Sequence, residues 1–181
     1  MAERFLTQIK SRRTCYSVER KSPISEARIL EIARDIIKHT PSSFNCQSTR
    51  FIILLRDEHA GYGTVLLYED LDVIRGYQVR FPRFKRHLPD FSEHNNAMQA
   101  FNLWTALQLE GFGCNLQHVN PIVDQRIVSE WNVSPDWSLK AQLVFGSPTG
   151  EPNHQKTFTP TEDRIFVHDM DGEMAKSSGA Q

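Results

Sequence analysis

The sequence predicts an α+β fold with an antiparallel strand pair. Three observations carry that expectation. Helical and strand patterns come in blocks (helices, two strands, helices, strands) rather than in a regular β-α-β alternation. The first two strand-like runs are joined only by Arg56–Tyr62, with Gly61 inside, a link too short for a helical crossover, so the pair should be antiparallel. No strand–glycine-loop–helix unit is present, because Gly111-Phe112-Gly113 follows a helical pattern instead of opening one.

The elements follow in order. Ala2–Ser11 has Phe5, Leu6 and Ile9 on one side of a short helix. Ile24–His39 is a second helix with Ser25 as N-cap and Leu30, Ala33, Ile36 and Ile37 at helical spacing, and it should stop before Pro41. Arg50–Leu55 and Gly63–Tyr68 are continuous apolar runs of strand length. Arg75–Leu88 is basic and aromatic. Phe91–Glu110 is the longest helical pattern, with Met98, Phe101, Leu103, Trp104, Leu107 and Leu109 spread over more than one stripe, so burial on most sides is expected. Gly111 and Gly113 end it. Val123–Trp131 is an amphipathic helix, Ser138–Phe145 a strand closed by Gly146, Gly150–His154 a loop and Arg164–Val167 a last short strand. The expected organisation is one domain over residues 1–168 with a polar, frayed tail over 169–181.

Composition narrows the function classes. Among 181 residues, 39% are hydrophobic and 24% charged, which is ordinary globular usage. A net charge of -1 provides no broad field for nucleic acid or an anionic membrane. No apolar run is long enough to span a bilayer, and the first residues lack a secretory pattern. Three scattered cysteines do not suggest a disulfide framework, so a reducing, cytoplasmic or nuclear location is expected. No histidine or cysteine spacing suggests a metal site.

Four segments carry candidate chemistry, each open to a blander account. Arg12, Arg13 and Thr14 suit a phosphate through charge-assisted hydrogen bonds, or a solvated helix C-terminus. Ser42, Ser43, Asn45 and Gln47, after Pro41, could contact a phosphate or the edge of a flat ring, or simply form a polar loop before a strand. Gly111–His118 pairs two glycines with Asn115, Gln117 and His118, which suits either a ligand's close approach or a helix cap leading into a strand. Arg75–Arg86, interleaved with Tyr77, Phe81 and Phe84, is the most nucleic-acid-like stretch, yet a solvated edge is favoured at this net charge. No nucleophile with a partnering base is legible.

In combination and order, these segments resemble the FMN-dependent nitroreductase family, in particular its fungal branch. Arg12-Arg13-Thr14-Cys15-Tyr16 is similar to the family's Arg-x-Ser/Thr phosphate motif. Pro41-Ser42-Ser43-Phe44-Asn45-Cys46-Gln47-Ser48 is similar to its Pro-Ser-Ser-x-Asn-x-Gln loop. Trp104–Leu107 with Glu110–His118 resembles the fungal central helix and the loop after it, and Lys156-Thr157-Phe158 with Asp163-Arg164-Ile165 resembles the C-terminal segment. The resemblance, from about Phe5 to Val167, implies a three-layer fold, a mainly antiparallel sheet flanked by helices, and a homodimer with two FMN sites at its interface. Arg12, Arg13, Thr14 and Arg164 of one chain are then expected at the phosphate. Ser42, Ser43, Asn45 and Gln47 come from the other chain, and Gln117 and His118 lie beside the flavin ring. It also implies transfer of electrons from NAD(P)H through FMN to nitroaromatic, quinone or similar small acceptors, with the flavin and no protein nucleophile carrying the chemistry. The family's helix between the first two strands is missing at Arg56–Tyr62. The alternative is therefore a non-catalytic or weakly flavin-binding relative acting through protein partners.

Overall fold

The structure, a computed structural model, describes residues 2–56, 61–152 and 156–167. The expected tail and residues 57–60 of the short link lie outside the described residues.

Among the described residues, five α-helices and five strands run in the order α1 (Ala2–Ser11), β1 (Val18–Glu19), α2 (Glu26–His39), β2 (Thr49–Leu55), β3 (Gly63–Asp70), α3 (Leu71–Arg80), α4 (Leu88–Leu109), β4 (Gly113–Gln117), α5 (Asp124–Trp131) and β5 (Trp137–Pro148). β2 and β3 pair antiparallel from Thr49↔Glu69 to Leu55↔Gly63, so the short link closes a hairpin as expected. β5 lies at the centre, with β3 on one side and β4 and the two-residue β1 on the other, all antiparallel. β2 is an edge strand, half-buried along almost its whole length.

Alternation along β3 makes three layers. Val65 and Leu67 face α2 and α4 in the main core, with Leu103, Leu107, Leu143 and Phe145. Leu66 and Tyr68 face the opposite way, onto Ile127 of α5, Val133 and Leu139. Leu67, Leu107 and Leu143 are fully buried, and each contributes roughly 1.5–3 kcal/mol of apolar burial. Ser25 caps α2 by accepting from the Arg28 amide, as its position predicts. No described helix is long and apolar enough to cross a membrane.

The structure departs from the sequence reading at four places. α3 is a helix where only a basic, aromatic stretch is expected; Asp70 caps it by accepting from the amides of Asp72 and Val73, while Gly76 and the exposed Val79 blur its pattern. Gly113–Gln117 is a strand, and it lies against β5. Arg164–Val167 is not a strand. Thr161 accepts from the amides of both Arg164 and Ile165, which closes that backbone into a 3₁₀ turn over Thr161–Asp163. Finally, α4 does not bury its apolar residues on most sides: Met98 and Leu109 are exposed, and Ser92, Asn95, Asn96 and Gln99 are buried instead.

Those polar residues of α4 tie the layers together. Glu69 is fully buried and accepts from Thr49 Oγ1 at 2.6 Å, from Asn96 Nδ2 at 3.1 Å and from the Ser48 hydroxyl. Burial raises its pKa, and the three hydrogen bonds pull it partly back. Asn95 Oδ1 accepts from the Ser43 amide at 3.0 Å, which fastens the Pro41–Gln47 loop to the central helix.

Candidate functional site

The twin-arginine segment is held by backbone-directed contacts before its side chains do anything. Gln108 of α4 donates from Nε2 to the Ser11 carbonyl at 2.8 Å and accepts from the Arg13 amide at 3.0 Å, stapling the end of α1 to the central helix. The chain then runs beside β4 through a parallel bridge between Thr14 and Cys114, with the Cys15 amide donating to the Cys114 carbonyl at 2.8 Å. Asn115 Nδ2 donates to the Cys15 carbonyl at 3.1 Å. Gly113 permits this approach, since a Cβ there would stand 2.9 Å from Cys15 Sγ. Gly111, at φ +93°, ends α4 as a left-handed cap, with the Phe112 amide donating back to Leu107.

Arg12 is thereby placed at the rim of a cavity of about 470 Å³. Phe101, Trp104, Leu116 and Ala141 form its apolar walls, and His118 and Lys156 line it as well. The Arg12 guanidinium lies 4.2 Å from the centre of the Trp104 ring. Arg12 Nη1 and Trp104 Nε1 are both buried with no hydrogen-bond partner. Lys156 Nζ donates to the Arg12 carbonyl at 3.4 Å.

The electrostatics of this end are one-sided. Burial lowers the Arg12 pKa, and neighbouring Arg13 lowers it further. Burial, then Arg12 and Arg13, lower that of Lys156. No carboxylate enters either account, so neighbouring positive charge adds to the cost of both Arg12 and Lys156, and an anion would relieve it. Away from them, Lys140 already pairs with Glu93 at 2.5 Å. A cationic end, two unmatched buried donors and an aromatic wall suit an anionic group attached to a flat ring system.

The second polar segment is built separately. Three of its residues hold left-handed backbone: Phe44 at φ 55°, Asn45 at 54° and Gln47 at 50°. Such conformations persist only where the surroundings over-determine them, and they gather at binding loops. Here the Asn45 amide donates to the Ser42 carbonyl at 2.8 Å, the Gln47 amide to Ser42 Oγ at 3.0 Å, and Phe44 stacks on Phe81 at 4.5 Å. Ser42 and Gln47 line another cavity, of about 320 Å³, with Lys38, Thr49, Arg50 and Gln99. It shares no lining residue with the Arg12 cavity. Gln99 Oε1 is buried and unpartnered in its wall.

Within one chain, then, the sequence-predicted residues fall into distinct groups. Arg12 and His118 line the first cavity and Ser42 and Gln47 the second, while Asn45 is exposed and Ser43 is half-buried against Asn95. Arg13 and Thr14 act from behind Arg12, through charge and backbone pairing. The Gln117 side chain lines a third cavity, on the far side of the sheet, because strand alternation sends it away from Leu116 and His118. Arg164 is exposed and lines none of these cavities. Lys156 and Trp104 stand in the motif segments but were not singled out as site residues; a tryptophan facing the chain of a charged residue is not visible in a linear pattern. In the basic, aromatic stretch Arg75 pairs with Asp72 and Asp136 and Arg80 lies over Tyr77 and Phe81, while Arg83, Lys85 and Arg86 are exposed.

Comparison with known proteins bears on this geometry. The Nitroreductase family model matches residues 9–71. The chain is 29% identical over 189 residues to the putative nitroreductase HBN1 of Saccharomyces cerevisiae, with 90% of this chain and 96% of that protein aligned. It is 31% identical to nitroreductase CinD from Lactococcus lactis, solved in complex with 4-nitrophenol, over 91% of this chain and 100% of that one, with a TM-score of 0.86. A putative nitroreductase from Exiguobacterium sibiricum 255-15, solved in complex with FMN, is 14% identical and shares the fold at a TM-score of 0.70 over 89% of this chain and 95% of that one.

Proposed function

Because the chain belongs to the nitroreductase family, we propose that this oxidoreductase binds FMN in the Arg12 cavity and passes electrons from NADH or NADPH to nitroaromatic, quinone or similar acceptors. The observation that carries the reading is the buried, unpartnered Arg12 Nη1, beside Lys156 and backed by Arg13, at one end of an apolar cavity.

In this reading Arg12 and Lys156 hold the phosphate, with Arg13 and Thr14 supporting them. Lys156 takes the part the resemblance gives to Arg164, which stands outside the cavity. Trp104 and Phe101 supply the wall for the ligand's apolar body, and Trp104 Nε1 gains an acceptor. Leu116, Gln117 and His118 border the ring, with Gln117 contributing through its backbone. Bound FMN supplies the hydride chemistry, in two half-reactions that share one site. The chain's part is to bind and orient the cofactor and to stabilise negative charge with fixed cations.

Ser42, Ser43, Asn45 and Gln47 complete the site from a second copy of the chain. Two observations support a homodimer: the two residue groups line separate cavities in one chain, and Phe5 and Leu6 of α1 with Leu109 of α4 are exposed apolar residues.

The test is an absorbance titration with FMN, followed by anaerobic addition of NADPH or NADH. Saturable uptake of yellow cofactor that bleaches with reduced nicotinamide is expected. A chain that takes up no FMN contradicts the reading, and one that takes it up without bleaching supports the non-catalytic alternative.

A further inference from the structure

The face of the sheet opposite α2 and α4 carries a cavity of its own, of about 220 Å³, under α5. Its floor comes from three adjacent strands: Leu54 of β2, Thr64 and Leu66 of β3, and Gln142 and Val144 of β5. Val123, Ile127 and Trp131 form the roof. The sheet separates it from the Arg12 cavity, since successive residues on β4 and β5 face opposite ways: Leu116 and Ala141 line the first cavity, Gln117 and Gln142 this one.

Thr64 is 5% exposed, and its hydroxyl is buried without a hydrogen-bond partner. A buried hydroxyl left unmatched costs the fold stability, so its retention in a ligand-sized cavity is informative. The Gln117 side chain donates from Nε2 to Asn115 Oδ1 at 2.5 Å, which leaves its carbonyl oxygen as an acceptor in the wall. The two charges at the edge, Arg126 and Glu130, pair with each other at 3.6 Å and ask for no charged ligand. The volume exceeds the roughly 150 Å³ of an apolar cavity that takes up benzene, and it is less than half that of the Arg12 cavity.

We propose that this cavity is a second ligand site, distinct from the Arg12 site, for a small neutral molecule with one aromatic ring and one hydroxyl, a simple phenol. The apolar roof and floor take the ring, and the hydroxyl meets Thr64 Oγ1 and the Gln117 carbonyl oxygen.

The experiment is an amide NMR titration of the ¹⁵N-labelled full chain, in excess FMN, with p-cresol and separately with toluene. Cresol is expected to shift the amides of Thr64, Val144 and Ile127. Thr64→Val, nearly the same shape and without a hydroxyl, is expected to weaken cresol at least fivefold and to leave toluene within twofold. Ile127→Val keeps the hydroxyl and widens the cavity, and it should retain the preference for cresol. Absence of shifts at these amides, shifts confined to residues of the Arg12 cavity, or equal cresol affinity in Thr64→Val would each overturn the proposal.

Discussion

Arg12 and Arg50 look alike and are spent differently. Each guanidinium lies over a tryptophan ring, Arg12 at 4.2 Å from that of Trp104 and Arg50 at 5.9 Å from that of Trp137. Arg50 is otherwise satisfied: it pairs with Asp70 at 3.0 Å and donates to the carbonyls of Gln47 at 2.7 Å and Thr49 at 3.1 Å. Arg12 has a buried nitrogen with no partner and two cations for company. A satisfied charge holds the scaffold, here the exit of the Pro41–Gln47 loop. An unsatisfied one is a cost to the fold that a bound anion would offset.

The largest expected effect sharpens the scaffold side. Glu69→Ala leaves three buried donors (Ser48, Thr49 and Asn96) without their acceptor and should lower stability by about 3 kcal/mol, read from urea unfolding. Arg12→Ala comes next. It should weaken FMN roughly tenfold to a hundredfold, as for a lost charge-assisted bond, while the thermal midpoint of the flavin-free chain stays level or rises. A fall in that midpoint without loss of FMN affinity would turn Arg12 into another Arg50. Arg50→Ala should cost about 1 kcal/mol of stability and weaken FMN less than Arg12→Ala does, since Arg50 acts only by holding the loop that carries Gln47; an Arg12-sized loss of affinity would break the comparison.

The smallest effect is in pH. The folded pKa of Glu69 is raised, so its contribution is fully present below the unfolded value of about 4.3 and is lost as pH rises through the higher folded value. Glu69→Gln has no such loss. The stability gap between the native chain and this variant should therefore shift in the variant's favour as pH climbs from about 4 to 7. Urea midpoints across that range measure it, and a gap that moves the other way contradicts a raised pKa.

Much of this contrast between spent and unspent groups was legible in outline. The hairpin followed from link length and α2 from its cap and spacing, and residue type drew attention to the Arg12 segment and the Pro41–Gln47 loop. What was not legible depends on tertiary partners. Only the apolar residues of α4 stand out in the sequence, yet Asn95 and Asn96 are met in the interior by Ser43, Cys46 and Glu69. Glu69 itself sits at the end of an apolar run and gave no sign of being fully buried. Gln117 and His118 are neighbours in sequence, but only strand geometry shows that their side chains part across the sheet. Lys156 escaped because a single lysine in a polar segment acquires meaning only when Arg12 and Arg13 are beside it.

The central claim, a flavin site completed by two copies of the chain, is tested most directly by subunit mixing. Arg12→Ala removes the phosphate half from both sites of a dimer, and Ser43→Glu places a negative charge in both loop halves. Each homodimer should bind FMN weakly. A refolded mixture contains heterodimers in which one site receives Arg12 from one chain and an intact loop from the other. The account predicts recovery of one tight FMN per heterodimer, read by titration of the isolated species. No recovery in that species, with each site as weak as in its parents, would show that the site lies within one chain.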